Sequence, residues 1–198
     1  MNSKNLVIIF IIAVLVLLVG CGGCGYNGLI NQDETVKNAW NKVQSEYQRR
    51  SDLIPNLVQT VKGEANFEQS TLTAVIQARA SATQIKVDAS NLTPEKLQQY
   101  QAAQGQISQA LGRLLAVSEQ YPTLQATQAY RGLMAELAGT ENRIKVARND
   151  FNDAVQQYNM QVRRFPMNIL SGIFGFHVKT GFTADPGTQN VPKVDFSK

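Results

Sequence analysis

Apolar residues recur in alternating steps of four and three along residues 130–165. An α-helix turns once every 3.6 residues, so this spacing places them on one face. A helix with such a face must bury it against other helices. The same spacing recurs around Trp40, Val61 and Leu111. We therefore predict an all-α fold over residues 24–182, an antiparallel up-and-down bundle of four long helical segments. The residues of the long stripe are Tyr130, Met134, Leu137, Ile144, Phe151, Val155, Tyr158, Val162 and Phe165.

Prolines indicate where the helices end. Pro94 follows Thr93, which is typical of a first helical residue preceded by its N-cap. Pro122 indicates a second break, and Pro166 is expected to stop the last long helix.

Pro55 is harder to place, because it lies within an otherwise helical pattern. It cannot donate a hydrogen bond to the carbonyl of Ser51, whereas Asp52 could cap a new helix. A helix from about Leu29 is therefore expected to end near Arg50, with another beginning near Asp52. A kink is the alternative, and we favour the break.

Residues 6–19 form an unbroken apolar run without charge, preceded by Lys4. Extended through the small residues to 6–23, the run reaches the length that a transmembrane helix needs. We predict a membrane anchor at 6–23, in contact with lipid, after a short flank at 1–5.

A lipoprotein signal is the alternative for the same residues, because the stretch from Leu18 to Cys21 resembles a lipobox. Cys21 would then be lipidated and would begin the mature chain. The basic residue Lys4 lies close to the run and Lys37 far beyond it, which favours an N-terminus inside the cell.

Charged residues interrupt the apolar stripes of several helices. A buried unpaired charge costs several kcal/mol, on the order of 3–5, so such groups must pair or reach water. We expect a polar layer in which Arg50 or Arg148 pairs with Glu141, and the alternative is that the side chains extend to solvent at the bundle edge. The predicted structural polar network is Arg50, Asp52, Glu64, Glu141 and Arg148, and Glu68 and Arg79 lie on the same stripes.

The segment 165–182 combines dense apolar residues with three glycines. It could close the end of the bundle as a flap, or it could dock on a membrane or another subunit. The candidate docking residues are Phe165, Ile169, Phe174 and Phe176. Residues 183–198 are polar and are expected to form a flexible tail.

Enzyme chemistry is not indicated, since the sequence has one histidine, His177, and no phosphate-binding loop or nucleophile elbow. The pair Cys21 and Cys24 lacks the further ligands that a zinc site needs. The basic residues are scattered, which argues against nucleic-acid binding. We expect no cofactor, no metal and no catalytic residue.

Several blocks of this sequence resemble the LemA family. The positions that match its signature are Arg49, Arg50, Asp52, Pro55, Asn56, Glu141, Asn142 and Arg143. The matching blocks are YNGLI at 26–30, AWNKVQSEYQRRSDLIPNLVQTVKGEA at 39–65, TLTAVIQARA at 71–80, YPTLQA at 121–126, TENRIKVARNDFNDAVQQYN at 140–159, and FP followed by FGF near 165–176.

The resemblance implies one N-terminal transmembrane segment, a helical bundle and no established enzymatic activity. It also implies a link with membrane-associated proteases and, in a magnetosome branch, with membrane shaping. The resemblance also implies a short N-terminus outside the cytoplasm, whereas the charge argument places it inside, so both orientations are retained.

We therefore expect a single-pass protein of the bacterial inner membrane that acts as a homo-oligomeric, non-enzymatic scaffold. An adaptor for a membrane-associated protease and a surface lipoprotein that binds a ligand are the alternatives.

Overall fold

The structure is a computed structural model that describes residues 3–64 and 67–183, with side chains described from residue 25 onward. Within those residues every regular element is helical, which confirms the all-α prediction. A short 3-10 helix spans Ala89–Asn91. The α-helices are α1 (Ser3–Lys62), α2 (Gln69–Gln84), α3 (Pro94–Ser118), α4 (Pro122–Ala126), α5 (Gln128–Arg163) and α6 (Met167–Ile173).

The four long helices run up and down. α1 packs along α5, and α2 packs along α3. Glu46 and Arg50 of α1 bond to Arg143 and Glu141 of α5, respectively, so these two helices are antiparallel. The chain consequently returns, after α5, to the end of the bundle where α1 enters it.

The core follows the predicted stripes, except that Phe165 lies beyond the end of α5 and is 76% exposed. The core divides into two clusters. The cluster nearer the N-terminal end of the bundle is built around Trp40, which contacts Tyr100, Phe151 and Phe182 through its ring. The other cluster contains Leu57, Leu72, Ile107 and Leu114, all almost fully buried. The polar layer described below lies between the two.

The predicted helix ends at Pro94, Pro122 and Pro166 agree with the structure. Thr93 Oγ1 accepts a hydrogen bond from the Lys96 backbone N–H at 3.3 Å, as an N-cap does. α4 begins at Pro122, and α5 ends at Arg163, ahead of a cis bond between Phe165 and Pro166.

The predicted break before Pro55 is wrong, because α1 continues through Pro55 to Lys62. Asp52 does not cap a new helix; it is exposed, and its Oδ1 accepts a hydrogen bond from Gln48 Nε2 at 2.8 Å. The chain turns back after Lys62 instead. Four long helices are thus retained, although the first is longer than expected at both ends.

A tertiary contact explains why Pro55 is tolerated inside the helix. A proline leaves the carbonyl four residues earlier without its helical donor. That carbonyl belongs to Ser51, and it accepts a hydrogen bond of 2.8 Å from Nε of Arg79 in α2. The apolar stripe on either side of the proline, including Ile54 and Leu57, is buried, so packing also holds the helix together.

Among the described residues, no helix contains a stretch long and apolar enough to cross a membrane. The backbone of the predicted anchor, 6–23, belongs to α1, but its side chains, including that of Cys21, lie outside the described part. Most of the predicted tail at 183–198 also lies outside it. The anchor, its lipoprotein alternative and the tail therefore stay predictions.

We predict that Arg79→Met lowers the free energy of unfolding by about 1–2 kcal/mol, because the Ser51 carbonyl loses the Arg79 donor and Pro55 has no N–H to replace it. In a Pro55→Ala background, residue 55 can donate to that carbonyl, so the same substitution should cost less than half as much. Urea unfolding of the detergent-solubilised full chain would measure both. Arg113→Met, at an exposed arginine of α3, is the control. Equal costs of Arg79→Met in the two backgrounds would contradict this account of the helix.

Candidate functional site

One arginine is buried at the centre of the bundle. The Arg50 side chain is 1% exposed. Its Nη1 donates to Glu141 Oε1 at 2.6 Å and to Ser108 Oγ at 2.8 Å. Its Nη2 donates to the side-chain and backbone oxygens of Gln104, at 2.7 and 3.1 Å. The guanidinium also lies 5.1 Å from the centre of the Tyr47 ring. Arg50 thus joins α1 to both α3 and α5.

The counter-ion of this arginine reaches solvent. Glu141 is 46% exposed on its side chain, although the arginine beside it is buried. Glu141 lines an open groove of about 680 Å³ between α1, α3 and α5. The arrangement combines the two predicted alternatives, a paired charge within the bundle and a carboxylate at its edge. A half-exposed partner contributes less than a fully buried one, because water screens the charge.

The other members of the predicted network do not join this pair. Asp52 is on the surface, as described above. Glu64, which follows the C-terminal end of α1, accepts a hydrogen bond from Thr123 Oγ1 at 3.0 Å. Arg148 lies 4.7 Å over the Phe182 ring and donates to the Thr183 carbonyl at 3.4 Å. The predicted network is therefore one pair with separate local contacts.

The sequence prediction missed Gln104 and Ser108 of α3, which complete the layer. A signal was present for Gln104, because it interrupts the apolar stripe of α3 as Arg50 interrupts that of α1. Gln104 is 7% exposed. A buried amide on an otherwise apolar stripe indicates a polar partner across the bundle.

The signature positions range from buried Arg50, through half-buried Pro55 and Arg143, to an exposed set. Arg143 Nε bonds to Glu46 Oε2 at 3.0 Å, and its Nη2 bonds to Thr140 Oγ1 at 2.7 Å. Pro55 is half-buried in α1. Arg49, Asn56 and Asn142 are exposed, as are Asp52 and Glu141.

The candidate docking segment begins with exposed apolar side chains. Phe165, Ile169, Ile173 and Phe174 are 76%, 59%, 73% and 45% exposed. On the opposite face of α6, Met167 is buried against the bundle. We call the exposed set of Phe165, Ile169, Ile173 and Phe174 the apolar end.

Residues 176–183 of the same segment lie against the bundle instead. Two asparagines of α5, seven residues apart, hold its backbone. Asn159 bonds to both the N–H and the carbonyl of Lys179, each at 2.8 Å. Asn152 bonds to the N–H and carbonyl of Phe182, at 2.8 and 3.2 Å. We call residues 176–183 the strap. It includes Phe176, which is half-buried against the core rather than fully exposed.

The strap is also tied to α1 by charge. Lys179 Nζ lies 2.9 Å from one oxygen of Asp33, and Lys37 Nζ lies 2.8 Å from the other. Burial alone would raise the pKa of the Asp33 carboxyl, but the hydrogen bonds from Lys37 and Lys179 outweigh it. The pKa of Asp33 is therefore below its ordinary value.

Within the part of the chain that the structure describes, no three residues of His, Cys, Asp or Glu come together as metal ligands would.

A second groove, of about 700 Å³, lies beside the polar layer and is lined by polar side chains of α1, including Asn38, Asn41 and Gln44.

The two sequence blocks RRSDLIPNLV and TENRI meet at the polar layer, because the first supplies Arg50 from α1 and the second Glu141 from α5. A family model described as the LemA family matches residues 39–196, which include both blocks. The chain belongs to the LemA family. The family expected from the resemblance is thereby confirmed.

Named relatives cover most of the chain. Magnetosome protein MamQ 2 of Paramagnetospirillum magneticum is 29% identical over 178 residues, covering 81% of this chain and 65% of that protein. MamQ of Magnetospirillum gryphiswaldense is 28% identical over 168 residues, covering 76% and 62%. Protein LemA of Metamycoplasma hominis is 26% identical over 145 residues, covering 73% and 63%. The match thus spans less than two thirds of each relative's own length.

We predict that Glu141→Ala lowers the free energy of unfolding by about 1–2 kcal/mol, because Arg50 stays buried with one partner fewer. The melting temperature should fall by about 2–8 °C for a chain of this size. Glu141→Gln, which keeps an acceptor, should lose less. Glu136→Ala, at an exposed glutamate of the same helix, is the control. A loss at Glu141 no larger than at Glu136 would show that the pair does not stabilise the fold.

Asp33→Asn should remove a pH-dependent part of the stability. Because the folded pKa of Asp33 is lowered, its contribution is complete above the unfolded pKa, near 3.8, and is lost as pH falls through the lower folded value. The difference in urea midpoint between wild type and Asp33→Asn should be largest near pH 6 and vanish toward pH 2. Asp153→Asn, at an exposed position of α5, should give no such trend. A difference independent of pH would exclude the ion pair as its cause.

Proposed function

We propose that this protein is a membrane-anchored, non-enzymatic scaffold that self-associates and organises membrane or partner proteins. Its activity lies in contact between surfaces rather than in chemistry. It is a single-pass protein of the bacterial inner membrane in this proposal.

The observation that carries the proposal is the continuity of α1 from Ser3 to Lys62. The apolar run 6–23 and the core-forming stripe of the bundle belong to one helix. At a rise of 1.5 Å per residue, the run is about 27 Å long, close to the ~30 Å of a bilayer core. The rest of α1 continues for about 60 Å. No linker separates the two parts, so the bundle would stand on the bilayer in a fixed direction.

The relatives support a structural role. The MamQ proteins are named for a cellular structure, the magnetosome, rather than for a reaction. Their similarity extends over both halves of the polar layer, since it covers most of this chain. A frame whose helices are pinned in register suits a role in an assembly.

The surface of α3 supports self-association. Its exposed residues are mostly glutamine, alanine and glycine, including Ala102, Gly105 and Gln106. Small side chains allow two helices to approach closely, and amides can bond across the contact. A shallow depression of about 310 Å³ between α2 and α3 interrupts this face.

A photo-reactive amino acid at Gln106, in the full chain within native membranes, would test the proposal. We expect cross-linked products at whole multiples of the chain's own mass. The same probe at Asp153, an exposed position of α5, is the control and should give much less of this product. A single product with a different membrane protein would favour the adaptor alternative, and no product at either position would contradict the scaffold.

Mass spectrometry of the same membrane-extracted material would define the N-terminus. An intact start at Met1 or Asn2 is expected for the anchor. A mature chain that begins at a lipidated Cys21 would replace the anchor with the lipoprotein alternative.

A further inference from the structure

The apolar end lies where α1 emerges from its apolar run. Ring centres of Tyr26 and Phe174 are 5.0 Å apart, and those of Tyr26 and Phe176 are 5.9 Å apart. Met167 of α6 packs so closely on α1 that a methyl group added to Gly25 would collide with its sulfur. The run ends at residue 23, so these contacts begin about 3 Å farther along the helix axis.

That distance places the apolar end at the depth of the lipid headgroups, if 6–23 spans the bilayer. The headgroup layer occupies about 5–8 Å on each side of the hydrocarbon core. Residues 24–30 of α1 rise through about 10 Å. Tyr26 and Ile30 on this stretch are themselves 37% and 36% exposed. Exposed apolar side chains from α1 and α6 therefore lie side by side at one level.

α6 has the form of a helix that lies on a surface. Met167 and Ser171 face the bundle and are buried, whereas Ile169 and Ile173 face away. A helix with one apolar face in the plane of the bilayer buries that face at the boundary of headgroups and acyl chains. Tyrosine is enriched at this depth, and Tyr26 supplies it here. Phenylalanine is common on the buried face of such helices, and Phe165 and Phe174 lie at the two ends of α6.

Charge at the same place complements an anionic lipid surface. Arg163 and Arg164 are exposed and directly precede Phe165. A basic residue close to an anionic leaflet contributes about 1 kcal/mol to membrane binding. The next acidic residue along α5 is Asp153, nearly three turns farther from the apolar end.

We propose that the apolar end is a second membrane contact, in which Phe165, Ile169, Ile173 and Phe174 insert into the bilayer surface beside the anchor. This inference rests on the proposed anchoring of residues 6–23 and adds a function to α6. The anchor with α6 would fix both the tilt and the rotation of the bundle on the membrane, which a single helix cannot do. The strap follows α6 in the chain and is held on α5 by Asn152 and Asn159, so it also keeps α6 close to the bundle.

Quenching by brominated lipids would test this proposal. The full chain carrying Ile169→Trp is reconstituted into vesicles of phosphatidylcholine and phosphatidylglycerol, with the lipids brominated near the top of the acyl chains. We expect the emission of the introduced tryptophan to fall at least about twofold relative to non-brominated vesicles, as for a ring at the interface. The native Trp40 is fully buried in the bundle and gives a constant background.

Val146→Trp is the matched control, because Val146 is 58% exposed on α5 but far from the apolar end. Its emission should not change with bromination. With Arg163→Gln and Arg164→Gln added to Ile169→Trp, quenching in anionic vesicles should fall to the level seen in phosphatidylcholine alone. Because all these positions are exposed, the variants should keep the fold, which Trp40 emission reports.

Flotation of the vesicles after an alkaline wash separates the two proposals. A chain that floats but shows no quenching at Ile169→Trp would overturn the second contact and leave the anchor standing. A chain that does not float would overturn the anchoring itself. Emission that shifts to the blue with rising protein-to-lipid ratio, without quenching, would show that a second copy covers the apolar end and would also overturn the lipid contact.

Discussion

The buried guanidinium of Arg50 constrains the whole bundle. A charge that is 1% exposed must keep its partners, because leaving it unpaired costs about 3–5 kcal/mol. Its partners come from α3 and α5, so sliding either helix along α1 would break hydrogen bonds of 2.6–3.1 Å. Apolar contacts alone tolerate such sliding better, because they are not directional. The polar layer therefore sets the register in which the two apolar clusters pack.

Side-chain hydrogen bonds to the backbone perform a similar task elsewhere. Arg79 satisfies the carbonyl that Pro55 leaves free, which keeps α1 continuous. Asn152 and Asn159 hold the strap through both its N–H and its carbonyl groups. In each case a polar side chain substitutes for a missing backbone partner. The result is a long helix that is not interrupted and a C-terminal segment that returns to the start of the bundle.

In the proposed scaffold, these features hold the bundle in one orientation relative to the membrane. The polar layer fixes the register of the bundle, and the helix α1 of that bundle is continuous with the apolar run. The C-terminal segment brings exposed apolar side chains back to that same end. Two contacts with one bilayer would orient the rest of the surface, including the glutamine- and alanine-rich face of α3, for association with neighbouring copies.

The sequence by itself determined the helical class, the core stripes, the ends at Pro94, Pro122 and Pro166, and the family. The family rests on the resemblance of whole sequence blocks, whereas the others follow from local rules, since the 3.6-residue period and the geometry of proline act within a few residues. It also indicated that Arg50 and Glu141 need partners. Only the tertiary structure decided that Pro55 lies within a helix, that Gln104 and Ser108 complete the layer, and that the C-terminal segment divides into an exposed end and a strap. Those outcomes depend on groups brought together across the bundle, such as Arg79 Nε and the Ser51 carbonyl, and local spacing carries no information about which distant donor reaches which acceptor.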